Sequence, residues 1–122
     1  MRRALAAVAV LVTSAACGGS GSGRSENAPV EPGARAITVE ARNYEFDPGT
    51  LELPAREDVA IVLHSEDQRH DFTVEGKGLV VDVAGDKTAS GGLRFAKPGR
   101  YTFFCAIPGH RTAGMVGTIT VS

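Results

Sequence analysis

The chain has 122 residues, 43% hydrophobic and 22% charged, with a formal net charge of −1. That is one domain's worth of chain. The mild charge, with no basic stripe and no basic–aromatic interleaving, excludes a nucleic-acid-binding surface.

Met1-Arg2-Arg3 is a short basic start, and Ala4 to Ala16 is almost wholly apolar or small. Residues 1–16 therefore form a secretory signal peptide, too short to span a bilayer as a permanent helix. Cys17 follows, and then Gly18-Gly19-Ser20-Gly21-Ser22-Gly23. A cysteine between small residues and a Gly/Ser tether resembles the lipidated first residue of a mature bacterial lipoprotein, although Ser14 stands where that family usually has a larger aliphatic residue. The resemblance implies an extracytoplasmic protein attached to the membrane through lipid on Cys17. An ordinary cleaved signal is the alternative. Without Arg2 and Arg3 the mature chain keeps 11 Lys and Arg against 14 Asp and Glu, a net −3.

Residues 17–34 are Gly, Ser, Pro and charge, the composition of a flexible linker. Residues 35–122 form the domain. No segment there sustains a helical period over three turns. Short alternating runs separated by turn residues take its place, which is the pattern of an all-β sandwich or barrel. Ala36 to Ala41 alternates. Tyr44 and Phe46 flank Glu45 before the turn Asp47-Pro48-Gly49. Thr50 to Leu53 is short, and Asp58 to His64 is a solid apolar, central strand. His70 to Glu75 alternates, Leu79 to Val83 is weak, and Gly92 to Ala96 leads into Lys97-Pro98-Gly99. Arg100 to Cys105 and Met115 to Val121 close the domain.

Strand side chains alternate between faces. Tyr101, Phe103 and Cys105 share one face of the penultimate strand. Met115, Ile119 and Val121 share one face of the last, and His70, Phe72 and Val74 one face of the middle strand. Three chemically active side chains thus sit at strand ends and point into the rim of the core. His110 lies in the loop between the last two strands.

Cys105, His110, Met115 and His70 are together the donor set of a blue-copper site: two imidazoles and a thiolate in a plane, with a weak, long axial thioether. Cys105 is the only thiol of the domain, since the other cysteine is Cys17. A Cys17–Cys105 disulfide is the competing use of that thiol. His64 competes with His70. It falls on the parity opposite Ile61 and Leu63, so it is expected at the surface or behind the ligands. Asp71 is either a solvated carboxylate or a hydrogen-bond partner of the ligand loop.

The stretch Tyr101 to Ile119, with the spacing Cys-x4-His-x4-Met, Ile107-Pro108-Gly109-His110 and Gly114-Met115, resembles the cupredoxins, and most the rusticyanin and sulfocyanin branch. The run His64 to Val74 resembles the segment that carries that family's first histidine ligand. The resemblance covers residues 36–122. It implies a Greek-key β-sandwich holding one type 1 copper ion on His70, Cys105, His110 and Met115. The activity implied is one-electron transfer without catalysis, by a monomer. Electrons would pass through the His110 edge, and redox partners would dock on the small apolar patch of Ala106, Ile107, Pro108 and Ala113. A copper-delivery protein on the same scaffold is the alternative, although one internal methionine fits it poorly. Three histidines cannot build the additional sites of copper oxidases or nitrite reductases.

Overall fold

The computed structural model describes residues 26–122. The expected signal peptide, Cys17 and the Gly/Ser run lie outside the described residues.

Among the described residues nine strands are formed: β1 (Arg35–Arg42), β2 (Glu45–Asp47), β3 (Thr50–Leu53), β4 (Val59–Ser65), β5 (His70–Val74), β6 (Gly78–Val83), β7 (Thr88–Leu93), β8 (Gly99–Phe104) and β9 (Val116–Val121). They make two mixed sheets, ordered β2-β1-β4-β7 and β3-β9-β8-β5-β6. The β1–β4 and β3–β9 pairs are parallel and the others antiparallel. The chain crosses repeatedly between the sheets, which makes the all-β sandwich expected from the strand pattern, with the Greek-key connections that the resemblance implies.

Alternation decides which face is buried. In β3, Leu51 and Leu53 turn inward while Thr50 and Glu52 face water. The apolar run of β4 is central, between β1 and β7, as expected. Val39, Ile61 and Leu63 of the first sheet face Phe72, Val74, Phe103 and Ile119 of the second, and all are at most 1% exposed. At the centre Phe72 and Phe103 stack with centroids 4.4 Å apart, and Phe46 meets Phe103 edge-on at 5.0 Å. Gly117 makes room for this stack, because a Cβ there would come 2.1 Å from Phe103 Cζ.

Two features differ from the sequence-based expectation. The strand expected at 92–96 runs instead over Thr88–Leu93. Thr88-Ala89-Ser90-Gly91-Gly92 carries almost no apolar signal, yet its backbone pairs fully with β4 from Leu93 back to Thr88. The stretch expected to stay flexible up to residue 34 is also ordered at its end. Ala28 N–H donates to Val80 O at 2.9 Å, and Gly92 N–H donates to Ala28 O at 3.0 Å. Asn27 Oδ1 accepts the Asp82 N–H at 2.8 Å. This segment seats between the two edge strands β6 and β7, where free backbone groups outweigh its polar composition.

The topology prepares the site. β8 lies between β5 and β9 and is antiparallel to both, with Val74 opposite Phe103 and Phe104 opposite Val116. The start of β5, the end of β8 and the start of β9 therefore meet at one end of the sandwich.

Candidate metal centre

His70 opens β5, Cys105 follows the last residue of β8, and Met115 precedes the first of β9. The loop between Cys105 and Met115 is closed by its own backbone. Cys105 N–H donates to Met115 O at 3.1 Å, and Met115 N–H donates to His110 O at 3.1 Å. Further turns link His110 N–H to Ile107 O at 3.0 Å and Ala113 N–H to Gly109 O at 3.1 Å. Gly109 and Gly114 have φ of +86° and +107°, a region that glycine enters without steric cost. The loop thus folds back tightly enough to place His110 beside Cys105.

Donor atoms of His70, Cys105 and His110 all lie within 4.8 Å of one another. Cys105 Sγ and His110 Nδ1 are 3.4 Å apart, and the two imidazole centroids are 5.2 Å apart. Donors at that separation fit around one ion with bonds of about 2.0–2.3 Å. His70, Cys105 and Met115 are fully buried, and His110 is 7% exposed. His70 Nδ1 is buried without any hydrogen-bond partner. Such an orphan ordinarily costs about 1–3 kcal/mol, and a metal ion is a partner that removes the cost. A soft thiol and two imidazoles suit copper, and Met115, buried and backbone-bonded to Cys105 and His110, is the residue that could add a thioether.

The electrostatics agree. Burial pushes the Cys105 thiol up, against the opposing pull of the Asp71 and Ile107 backbone amides. The thiol alone therefore keeps its proton, and a bound cation is what converts it to thiolate. Burial, and then the neighbouring His70, hold His110 below the usual imidazole range, so the ring is neutral and its lone pair is available.

Asp71 is buried and bonded rather than solvated. Its N–H donates to Cys105 Sγ at 3.4 Å, and its Oδ1 accepts the Ala106 N–H at 2.8 Å and the Thr73 hydroxyl at 3.0 Å. One residue ties β5 to the sulfur and to the ligand loop. His64 stands apart, between Thr88 Oγ1 at 2.8 Å from Nδ1 and Glu40 Oε2 at 3.9 Å from Nε2. His64→Ala is expected to leave a blue copper spectrum unchanged; a folded but colourless variant would make His64 a ligand.

The surroundings of His110 differ from expectation. Its ring is covered edge-on by Tyr44, with centroids 5.2 Å apart, and its Nε2 lies 3.3 Å from the Gln68 side-chain amide. Ile107 is half-buried against the core, while Ala106, Pro108, Ala113 and Val116 are exposed. Tyr44, Asp67 and Gln68 were missed by sequence reasoning. The available signal was the polar run Ser65-Glu66-Asp67-Gln68 just ahead of His70, which does not by itself tell Glu66 from Asp67.

The class defined by this fold and donor set is a small copper-binding β-sandwich protein. The chain belongs to the cupredoxin-like domain family, whose model matches residues 4–121. Family and donors together define a site for one copper ion. Auracyanin B is 21% identical with a TM-score of 0.67, over 79% of this chain and 94% of that one. Auracyanin A, a "blue" copper protein from the green thermophilic photosynthetic bacterium Chloroflexus aurantiacus, is 18% identical with a TM-score of 0.63, over 74% of this chain and 100% of that one. These two likenesses concern the fold. Cytochrome c oxidase subunit 2 of Thermus thermophilus is 29% identical over 93 residues, 74% of this chain and 67% of that subunit. A second Thermus thermophilus sequence of the same subunit is matched over 54% of its length, so the chain spans only about half of that relative.

Proposed function

We propose that the protein is a one-electron carrier that holds a single type 1 copper ion through His70, Cys105 and His110, with Met115 as the distant axial donor. The observation that carries this reading is the grouping of the buried His70, Cys105 and His110 around one point, with His70 Nδ1 left without a hydrogen-bond partner. Copper bound there supplies a Cu(II)/Cu(I) couple. The residues supply rigidity: two of the four donors flank one hydrogen-bonded loop, a third lies within it, and the fourth opens a paired strand. A cage that holds its shape in both oxidation states favours fast electron exchange.

The carrier reading is supported over copper delivery by burial. Donors that are at most 7% exposed are poorly placed to hand an ion to a partner. The test is the visible spectrum of the copper-loaded chain before and after ascorbate. An intense band near ~600 nm that bleaches on reduction is expected. Copper binding without colour would favour delivery or storage.

In this reading electrons pass through the His110 edge, and redox partners dock on the apolar surface around it. Tyr44 and Val116 are 45% and 42% exposed and extend the patch of Ala106, Pro108 and Ala113. Val116→Asp is expected to slow electron exchange roughly fivefold, the effect of about 1 kcal/mol at an interface residue, with the absorption spectrum intact. An unchanged rate would place docking elsewhere. The protein works outside the cytoplasm as a monomer, attached to a bacterial membrane through lipid on Cys17, and is not an enzyme. Ser14-Ala15-Ala16-Cys17 ahead of the Gly/Ser run supports the lipid attachment, and the mass of the native protein tests it.

A further inference from the structure

The loop between β4 and β5 reaches over both imidazoles. Asp67 Oδ1 lies 2.6 Å from His70 Nε2. The carboxylate is itself held in place: Asn43 N–H donates to Oδ2 and Gln68 N–H donates to Oδ1, both at 2.7 Å. The Asp67 N–H donates to Ser65 Oγ at 3.3 Å, and the Ser65 hydroxyl donates to Gln68 O. Gln68 then bridges Asn43 Oδ1 at 2.5 Å to the His110 ring. The carboxylate is therefore fixed from two sides, while the imidazole it meets is fully buried.

A carboxylate accepts hydrogen bonds and, when ionised, donates none. The Asp67 contact therefore requires the His70 proton on Nε2. That leaves the Nδ1 lone pair free, and Nδ1 is the ring nitrogen that is buried without a hydrogen-bond partner. We propose that Asp67 is the positioning residue of this centre: it selects the His70 tautomer, and its negative charge favours copper(II) over copper(I). The proposal rests on the copper reading above. Its physical basis is general: a carboxylate behind a ligating histidine fixes the ring, raises its basicity, and typically contributes 10–100-fold in metal affinity. A more basic, more negative ligand stabilises the higher charge more than the lower one.

Two measurements test it. The first is 15N NMR of the imidazoles in the copper-free chain. His70 is expected as a single tautomer, protonated at Nε2 and bare at Nδ1; a proton on Nδ1 overturns the proposal. The second compares the chain with Asp67→Asn and Asp67→Ala, measuring Cu(I) affinity, Cu(II) affinity and reduction potential. Asparagine keeps an acceptor and loses the charge, so it is expected to keep the tautomer and bind Cu(II) about tenfold more weakly. With Cu(I) affinity unchanged, that is a potential higher by about 59 mV for a one-electron couple. Alanine is expected to lose both effects: Cu(II) affinity falls toward a hundredfold, and His70 becomes a mixture of tautomers. Equal losses of Cu(I) and Cu(II) affinity, with the potential unmoved, would show a purely structural residue and overturn the redox role. A chain that binds no copper would overturn the copper reading and this redox role with it, while the copper-free spectrum still decides the Asp67–His70 pairing.

Discussion

Cys105→Ser is expected to abolish the visible absorption of the copper-loaded protein while leaving the fold in place. The substitution changes one buried atom. Serine is slightly smaller, and its hydroxyl can still receive the Asp71 N–H that now meets Sγ at 3.4 Å. What it lacks is a proton that a cation can displace near neutral pH. The wild-type thiol is already pushed up by burial, so its ionisation depends on the metal; an alcohol in the same place stays neutral. The variant therefore offers two imidazoles and a neutral oxygen, with no soft anionic donor. Copper that binds only the folded state at a hundredfold excess over its Kd adds about 2.7 kcal/mol of stability. For a domain of this size that corresponds to roughly 10–20 °C in Tm. Wild type is expected to show such a rise on adding copper, and Cys105→Ser a much smaller one from a similar copper-free Tm. A serine variant that stayed blue would remove Cys105 from the site.

Phe103→Ala is expected to cost about 3–5 kcal/mol of stability, a large share of the roughly 5–15 kcal/mol that holds a domain together. Phe103 is fully buried, stacked on Phe72 and met edge-on by Phe46. Gly117 across from it has no side chain to fall into the vacated space, so the cavity persists. Phe103 stands two residues before Cys105 on the same strand face, as Phe72 stands two residues after His70. The cavity therefore opens directly beneath two of the donors. Chemical denaturation of the copper-free protein measures the loss; a cost below about 1 kcal/mol would mean that the aromatic stack repacks freely. Copper is expected to recover part of the stability, because it binds only the folded arrangement.

The strand pattern was legible where side chains alternate. Leu51 and Leu53, or Phe72 and Val74, announce their buried face by spacing alone, and the parity that put His70, Cys105 and Met115 on inward faces agrees with their complete burial. The grouping of Cys105 and His110 was legible because rare residue types stand close together in the chain, and strand parity brought His70 to them. Legibility failed where backbone did the work. Thr88 to Gly91 carry almost no hydrophobic signal, yet they belong to β7 because their peptide groups pair with β4. Asn27 and Ala28 read as linker, since composition does not record a vacant sheet edge. Asp67, Gln68 and Tyr44 were invisible for another reason. Tyr44 and Gln68 meet a ring distant in sequence, since His110 lies 66 residues from Tyr44 and 42 from Gln68, while Asp67 meets His70, three residues on, only through the shape of its loop. No local period encodes such a meeting.

The seat of Ala28 between β6 and β7 also bears on how copies of this protein behave in a crowded solution. Each of those strands ends its sheet, and each would otherwise present a row of unsatisfied amides and carbonyls to any passing strand. Exposed edges of that kind template aggregation. By donating to Val80 and accepting from Gly92, Ala28 of the linker engages one backbone group on each edge at once. The segment that reads as a mere spacer thus shields part of both edges, and a version trimmed to the first strand is expected to scatter more light at high concentration than the full domain.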